Sequence, residues 1–177
     1  MLELLKKRRS IRKYTNEKVC DEKILNLIQA ALFSPTSKNS KSCEFIIVKD
    51  KNLLSKLSNF KPDASFLKNA DLGIIVMGNS LLSDVWIEDA SIAASNIHLL
   101  SQEIDLGSCW IQVRNRNYNE NTSSEEYIRN LFNVPENINI LAVISVGFPG
   151  EQKDPLTEEN LNYNKVYLNS YLNKYLK

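Results

Sequence analysis

The chain has 177 residues, with 22 Lys and Arg against 21 Asp and Glu, and its 43% hydrophobic and 24% charged composition is that of an ordinary globular protein. This length predicts a single domain, 1–177, able to bury its own core. A formal net charge of +1 excludes a global electrostatic case for nucleic acid or an anionic membrane, and no run approaches the ~18 apolar residues of a membrane span.

Residues 1–14, M-L-E-L-L-K-K-R-R-S-I-R-K-Y, open with a short helix bearing Leu2, Leu4 and Leu5, then pass through six basic residues ending at Lys13. The basic cluster follows the apolar run, the wrong order for a secretory signal, so a cytoplasmic location is expected. The cluster has two readings. It is a solvated basic face, or Arg8, Arg9, Ser10 and Arg12 form an oxyanion clamp of guanidinium forks and one hydroxyl. Residues 21–33 are predicted as an amphipathic helix, with Ile24, Leu27, Ile28 and Ala31 on one face and Asp21 as cap or first-turn acid. Ser34-Pro35 ends it. The polar stretch S-P-T-S-K-N-S-K-S, residues 34–42, is either a connector or a set of donors and acceptors for a ligand.

F-I-I-V before Lys49 and L-G-I-I-V-M over residues 72–77 predict two buried strands, with a helix over residues 51–57 between them. The stretch from Trp86 to Val113 organises the rest. Ile87, Ala90, Ala94, Ile97, Leu100 and Ile104 recur at steps of three and four and predict one long helix. Ile92, Ala93 and Leu99 add apolar surface off that stripe. Gly107 is expected in a left-handed cap, followed by a strand through Cys109, Trp110, Ile111 and Val113. Ser123 and Glu126 have capping-box spacing at the start of a helix ending at Phe132. Residues 140–146, I-L-A-V-I-S-V, predict the most buried strand. The tail, residues 157–177, carries Leu161, Tyr163, Val166, Tyr167, Leu168, Tyr171, Leu172, Tyr175 and Leu176. It is too apolar to be a free tail, and either packs on its own domain or wraps a partner subunit.

No Walker A loop and no G-x-G-x-x-G occurs, and His98 has no second ligand at metal spacing. The three cysteines, Cys20, Cys43 and Cys109, are expected as buried reduced thiols. Glu88 and Asp89 diverge by about 100° around a helix and read as first-turn acids. No catalytic side-chain set is expected, which points to a cofactor that carries the chemistry.

Four stretches resemble the FMN-dependent nitroreductase family in the right order: R-R-S-I-R-K-Y, S-P-T-S-K-N-S, the helix–strand E-D-A-S-I-A-A-S-N-I-H-L-L with L-G-S-C-W-I, and I-S-V-G-F-P-G-E. The resemblance implies an α+β fold, a mixed and mostly antiparallel sheet flanked by helices with a long central interface helix. It implies a homodimer binding FMN, reduced by NADH or NADPH, with residues 157–177 as an arm on the partner. Arg8, Arg9, Ser10 and Arg12 would contact phosphate and ribityl, and Pro35, Thr36, Ser37 and Asn39 would reach the flavin across the interface. Cys109, Trp110, Ile111 and Gln112 would line a ring edge, with the Gln112 N–H near the flavin N5, and Lys165 would add a phosphate contact. The implied reaction passes hydride to a small planar acceptor such as a nitroaromatic or quinone. A flavin- or ligand-binding module without turnover is the alternative, and nucleic-acid binding through residues 6–13 rests on charge alone.

Overall fold

The computed structural model describes residues 1–175. Its sheet holds, among the described residues, four strands, β1 (Cys43–Val48), β2 (Leu72–Asn79), β3 (Gly107–Gln112) and β4 (Ile138–Gly147), in the order β1-β2-β4-β3. Every strand pair is antiparallel. Among the described residues the one parallel pairing is a bridge from Ser10 to Ser108, which lays the N-terminal segment along the outer edge of β3. β2 and β4 are central and apolar nearly throughout, as strands covered on both faces must be.

Five α-helices are described: α1 (Leu2–Lys7), α2 (Asp21–Leu32), α3 (Lys51–Leu57), α4 (Trp86–Glu103) and α5 (Ser124–Phe132). Alternation along the strands divides the core into two layers. Leu72, Ile74 and Val76 face α2 and α4, meeting Leu27, Ala90, Ala94 and Ile97. Ile75, Met77 and Val143 face α3, α5 and the 3-10 segment Pro62–Asn69, meeting Leu54, Leu67 and Ile128. Small residues on the inner face of α4 let it lie close to the sheet, and Trp86 packs so tightly on Gly78 that a Cβ there would stand 2.7 Å from its ring.

Local expectations are corrected at Gly107, Cys20 and Cys43, and hold at Asp21 and Ser123. Gly107 is not a cap: Asp105 takes the left-handed backbone, at φ 62°. Gly107 lies in β3, where a Cβ would stand 2.8 Å from Ile11, so its role is close approach. Cys20 is exposed and Cys43 half-buried; only Cys109 is the buried thiol expected. Asp21 is a first-turn acid, Cys20 occupying the cap position. Ser123 caps α5 by accepting from the Glu126 N–H.

Among the described residues, the tail beyond Leu156 is largely exposed rather than packed on its own domain. Its last described backbone bond to the body runs from the Leu156 N–H to the Lys6 carbonyl at 2.9 Å. Beyond it Tyr171 is 80% and Leu172 90% exposed. Residues 166–175 make a turn of their own, with Tyr167 stacked on Tyr171 at 4.1 Å and the Lys174 ammonium 4.0 Å from the Tyr167 ring centre. Leu176 lies outside the described residues. Among the described residues no helix is long and apolar enough to cross a membrane.

Candidate functional site

The basic cluster of the N-terminal segment is folded into the sheet edge. After α1 the chain runs beside β3, where the Ile11 N–H donates to the Ser108 carbonyl at 2.9 Å. The segment after β4 returns along its other side: the Gly150 N–H bonds the Lys13 carbonyl at 2.8 Å. Glu151 accepts from the Arg12 and Lys13 N–H groups at 2.6 and 3.2 Å. Those two bonds, the Arg12 N–H foremost, hold its carboxyl below the usual range. Lys153 donates to the Ser10 carbonyl at 2.6 Å, and Arg9 donates to the Asp154 carbonyl. Arg12 extends over Phe66, 5.8 Å from the ring centre. Arg9, Ile11, Gly107, Glu151, Lys153 and Pro155 line a cleft of about 340 Å³.

Arg8 is set differently. Its guanidinium donates to His98 Nε2 at 2.8 Å, and His98 Nδ1 pairs with the Ser108 hydroxyl. An imidazole accepting at Nε2 carries its proton on Nδ1 and donates it to Ser108. Burial, with the Arg8 charge beside it, pulls the His98 pKa down to about 4, so the ring is neutral at physiological pH. His98 is 8% exposed. It is a fixed acceptor that aims a guanidinium.

Alternation along β3 decides which backbone groups are free. Residues 107, 109 and 111 hydrogen-bond to β4, because the Ser108 carbonyl faces outward to Ile11 while the Val113 N–H bonds Leu141 at 3.1 Å. Trp110 and Gln112 therefore direct their N–H groups to the open outer edge, past the point where the N-terminal segment leaves it. The Gln112 side chain is occupied, accepting from the Trp110 indole at 2.9 Å and donating to the Arg114 carbonyl at 3.1 Å. Cys109 is buried, and burial raises its thiol pKa despite the nearby Arg12 charge, which makes it a poor nucleophile.

The loop 34–42 is anchored elsewhere on α4. Asn96 donates to the Ser34 hydroxyl at 2.8 Å, and Asp89 accepts from the Ser37 N–H at 2.7 Å. Asp89 and His98 are nine residues apart, about 14 Å along the helix and about 180° around it. The loop and Arg8 are therefore held on opposite flanks of α4.

Arg8, Arg9, Ser10 and Arg12 thus lie together with the β3 stretch Cys109–Gln112. Pro35, Thr36, Ser37 and Asn39 lie on the far flank of the same helix. Lys165 sits in a 3-10 turn, Tyr163–Lys165, within the exposed arm, with no described bond to the basic cluster. Sequence reasoning missed Lys153, Glu151, Phe66 and the His98–Ser108 pair. Lys153 follows the turn after β4 within a polar run, a signal that was available; the partners of His98 are 90 and 10 residues away and carry none.

The profile of the Nitroreductase family matches residues 5–71 and 61–148. A protein of Archaeoglobus fulgidus, provisionally named as an NADH dehydrogenase/NAD(P)H nitroreductase, is 34% identical over 157 residues, covering 86% of this chain and 87% of its own. The structure of an FMN-dependent nitroreductase from Clostridium difficile R20291 superposes with a TM-score of 0.95 at 46% identity, over 97% of this chain and all of that one. A protein of Bacteroides thetaiotaomicron, also provisionally named as an NADH dehydrogenase/NAD(P)H nitroreductase, superposes at 0.88 with 32% identity, over 96% of this chain and 97% of its own. Matched across most of its length in sequence and across nearly all of it in structure, the chain belongs to the nitroreductase family.

Proposed function

We propose that the protein is an FMN-dependent oxidoreductase, working as a homodimer with NADH or NADPH as reductant and a small planar acceptor. The observation that carries this reading is the pairing of a cluster of cations with a stretch of open strand edge. Arg8, Arg9, Arg12 and Lys153 supply positive charge and fork geometry for a phosphate, Ser10 adds a neutral donor, and the free Trp110 and Gln112 N–H groups follow along β3. This donor set fits a phosphorylated, flat, hydrogen-bond-accepting molecule, and the match to an FMN-dependent structure at 46% identity supports the flavin. Bound there, FMN would supply hydride transfer from the nicotinamide and onward to a nitroaromatic or quinone.

The chain's own contribution is binding and orientation. The cations fix the phosphate end, while the Gln112 N–H offers a donor at the ring edge that needs no particular side chain. The cleft is small for a whole FMN, and Pro35–Asn39 lie on the other flank of α4. Both support a site completed by the loop of a second subunit. Ile92, 40% exposed on the outer face of α4, supports pairing of these helices. So does an apolar cleft of about 440 Å³ lined by Met1, Leu4, Ala30, Phe33, Leu99 and Leu100. The arm, residues 157–177, exposed over its described part, would then cover the partner.

Titration with FMN followed by anaerobic addition of NADH or NADPH tests the reading. An enzyme takes up flavin and bleaches it. Flavin uptake without bleaching would leave a binding module, and no uptake would remove the flavin altogether.

A further inference from the structure

We infer that Asp89 is a positioning residue for the site, a buried carboxylate that holds residues 37–42 in a strained shape so that Pro35–Asn39 are presented to the flavin. This rests on the flavin reading for its ligand, but not for its first measurement.

Asp89 is 2% exposed, yet no cation pairs with it among the described residues. Its charge is met by hydrogen bonds alone. One oxygen accepts from the Ser37 N–H at 2.7 Å. The other accepts from the hydroxyls of Ser42 at 2.8 Å, Ser83 at 2.9 Å and Ser40 at 3.4 Å. Three of these four donors belong to the loop. The fourth, Ser83, comes from the turn between β2 and α4 and steadies the carboxylate from outside. Burial alone would raise this carboxyl's pKa; the four donors outweigh it and bring it below the ordinary value, so the group is ionised at neutral pH.

The loop needs such a hold. Lys38, Asn39 and Lys41 have φ of 53°, 54° and 52°, the left-handed region where a side chain crowds its own backbone. None of the three is glycine. Nor is the shape maintained by apolar packing, since residues 35–41 include no buried side chain and Ser42 alone is enclosed. The loop's internal bonds are few: Asn39 N–H to the Thr36 carbonyl at 3.0 Å, Ser40 N–H to the Ser37 carbonyl at 2.9 Å, and Lys41 N–H to the Thr36 hydroxyl at 3.0 Å. Strained backbone persists where its surroundings over-determine it, and such places cluster at ligand clamps. Here the two ends are tied by the Asn96 amide on the Ser34 hydroxyl and the Asn79 N–H on the Ser42 carbonyl, both at 2.8 Å, and between them the surroundings are one carboxylate.

Asp89→Asn separates positioning from folding. The amide oxygen can still accept from the Ser37 N–H, and the serine hydroxyls can rotate to accept from the amide nitrogen, so the core stays filled while the charge and its acceptor capacity go. Hydrogen exchange on the flavin-free protein should show the Asn39, Ser40 and Lys41 amides exchanging roughly tenfold faster, with β2 and inner α4 amides unchanged. FMN affinity should fall roughly tenfold while kcat at saturating FMN stays within about a factor of two. Adding Lys41→Gly, which removes the steric cost at φ 52°, should recover part of both losses. Unchanged exchange in residues 37–42 would overturn the inference, and so would acceleration spread evenly through α4 and β2. Should Asp89→Asn not fold, Ser42→Ala applies the same test: faster loop exchange supports the hold, and no change overturns it. Wild-type protein that takes up no FMN would refute the flavin reading while the exchange result stands by itself.

Discussion

The two flanks of α4 bury a polar side chain in opposite ways. On one, His98 is kept neutral and serves as an acceptor for the Arg8 guanidinium of the basic N-terminal cluster. On the other, Asp89 stays charged and is met by a backbone N–H and three hydroxyls. A buried group either gives up its charge or collects hydrogen bonds enough to keep it. Which course is taken follows from burial and the neighbours: burial, with a guanidinium beside it, keeps the histidine neutral, whereas serines can turn toward a negative charge. One helix thereby fixes the Arg8 guanidinium on one flank and residues 37–42 on the other, with no salt bridge to either buried group among the described residues.

Deleting the charged anchor should give the largest effect. Asp89→Ala strands two buried hydroxyls and the Ser37 N–H, at ~1–3 kcal/mol for each unsatisfied group, so a total of at least about 3 kcal/mol is expected in urea unfolding. A loss below about 1 kcal/mol would mean that water replaces the carboxylate.

Acid separates the flanks without mutation. His98 has a folded pKa of about 4 against 6.5 unfolded, so between these values the unfolded chain binds the extra proton. Stability should fall by roughly 3 kcal/mol as pH drops from 6.5 to 4, and level off for this group below that. Asp89 has a folded pKa below its ordinary 3.8, so its contribution is intact above 3.8 and is lost only as pH falls through the lower folded value. His98→Phe should flatten the first limb of the pH–stability curve and spare the second. A wild-type curve already flat between pH 6.5 and 4 would show that His98 is not buried as neutral imidazole.

Arg8→Ala removes the cation that His98 aims. If the guanidinium holds a phosphate, charge-assisted bonds of ~1.5–3 kcal/mol predict FMN affinity weaker by roughly one to two orders of magnitude. Riboflavin, which lacks the phosphate, should bind both proteins alike, and equal loss for both ligands would assign Arg8 elsewhere. The smallest effect is expected at Gln112. Gln112→Ala should cost about 1 kcal/mol through its bond to Trp110 and leave flavin binding and most turnover intact. Gln112→Pro, with no N–H, should abolish both. An alanine variant that holds FMN but transfers no hydride would give the role to the side chain.

Much of this was legible in the chain because apolar periodicity reports burial directly. The stripe Ala90–Ala94–Ile97 and the runs over residues 72–77 and 140–146 fall in the helix and central strands they predict. The Arg8–Arg12 cluster and the Cys109–Gln112 strand were readable as neighbours only through family resemblance. The hold on the loop was not readable. Asp89 looked like a helix-dipole acid, and its partners Ser37, Ser40, Ser42 and Ser83 are dispersed hydroxyls with no periodic signal. Gly107 misled because glycine after a helix is usually conformational, whereas here it makes room for Ile11 and Asp105 takes the turn.

β3 is an outermost strand, and Ser10–Ile11 shields only its first half. Beyond that point Trp110 and Gln112 offer N–H groups without a partner among the described residues, of the kind on which another chain can template itself. Pairing at a sheet edge is the route by which folded proteins lose solubility, and short strands, bulges or a covering element normally block it. In this molecule the covering element beyond Ile11 would be whatever occupies the site. Occupancy then protects the protein colloidally as well as equipping it, and stripped protein should precipitate at concentrations where loaded protein stays clear.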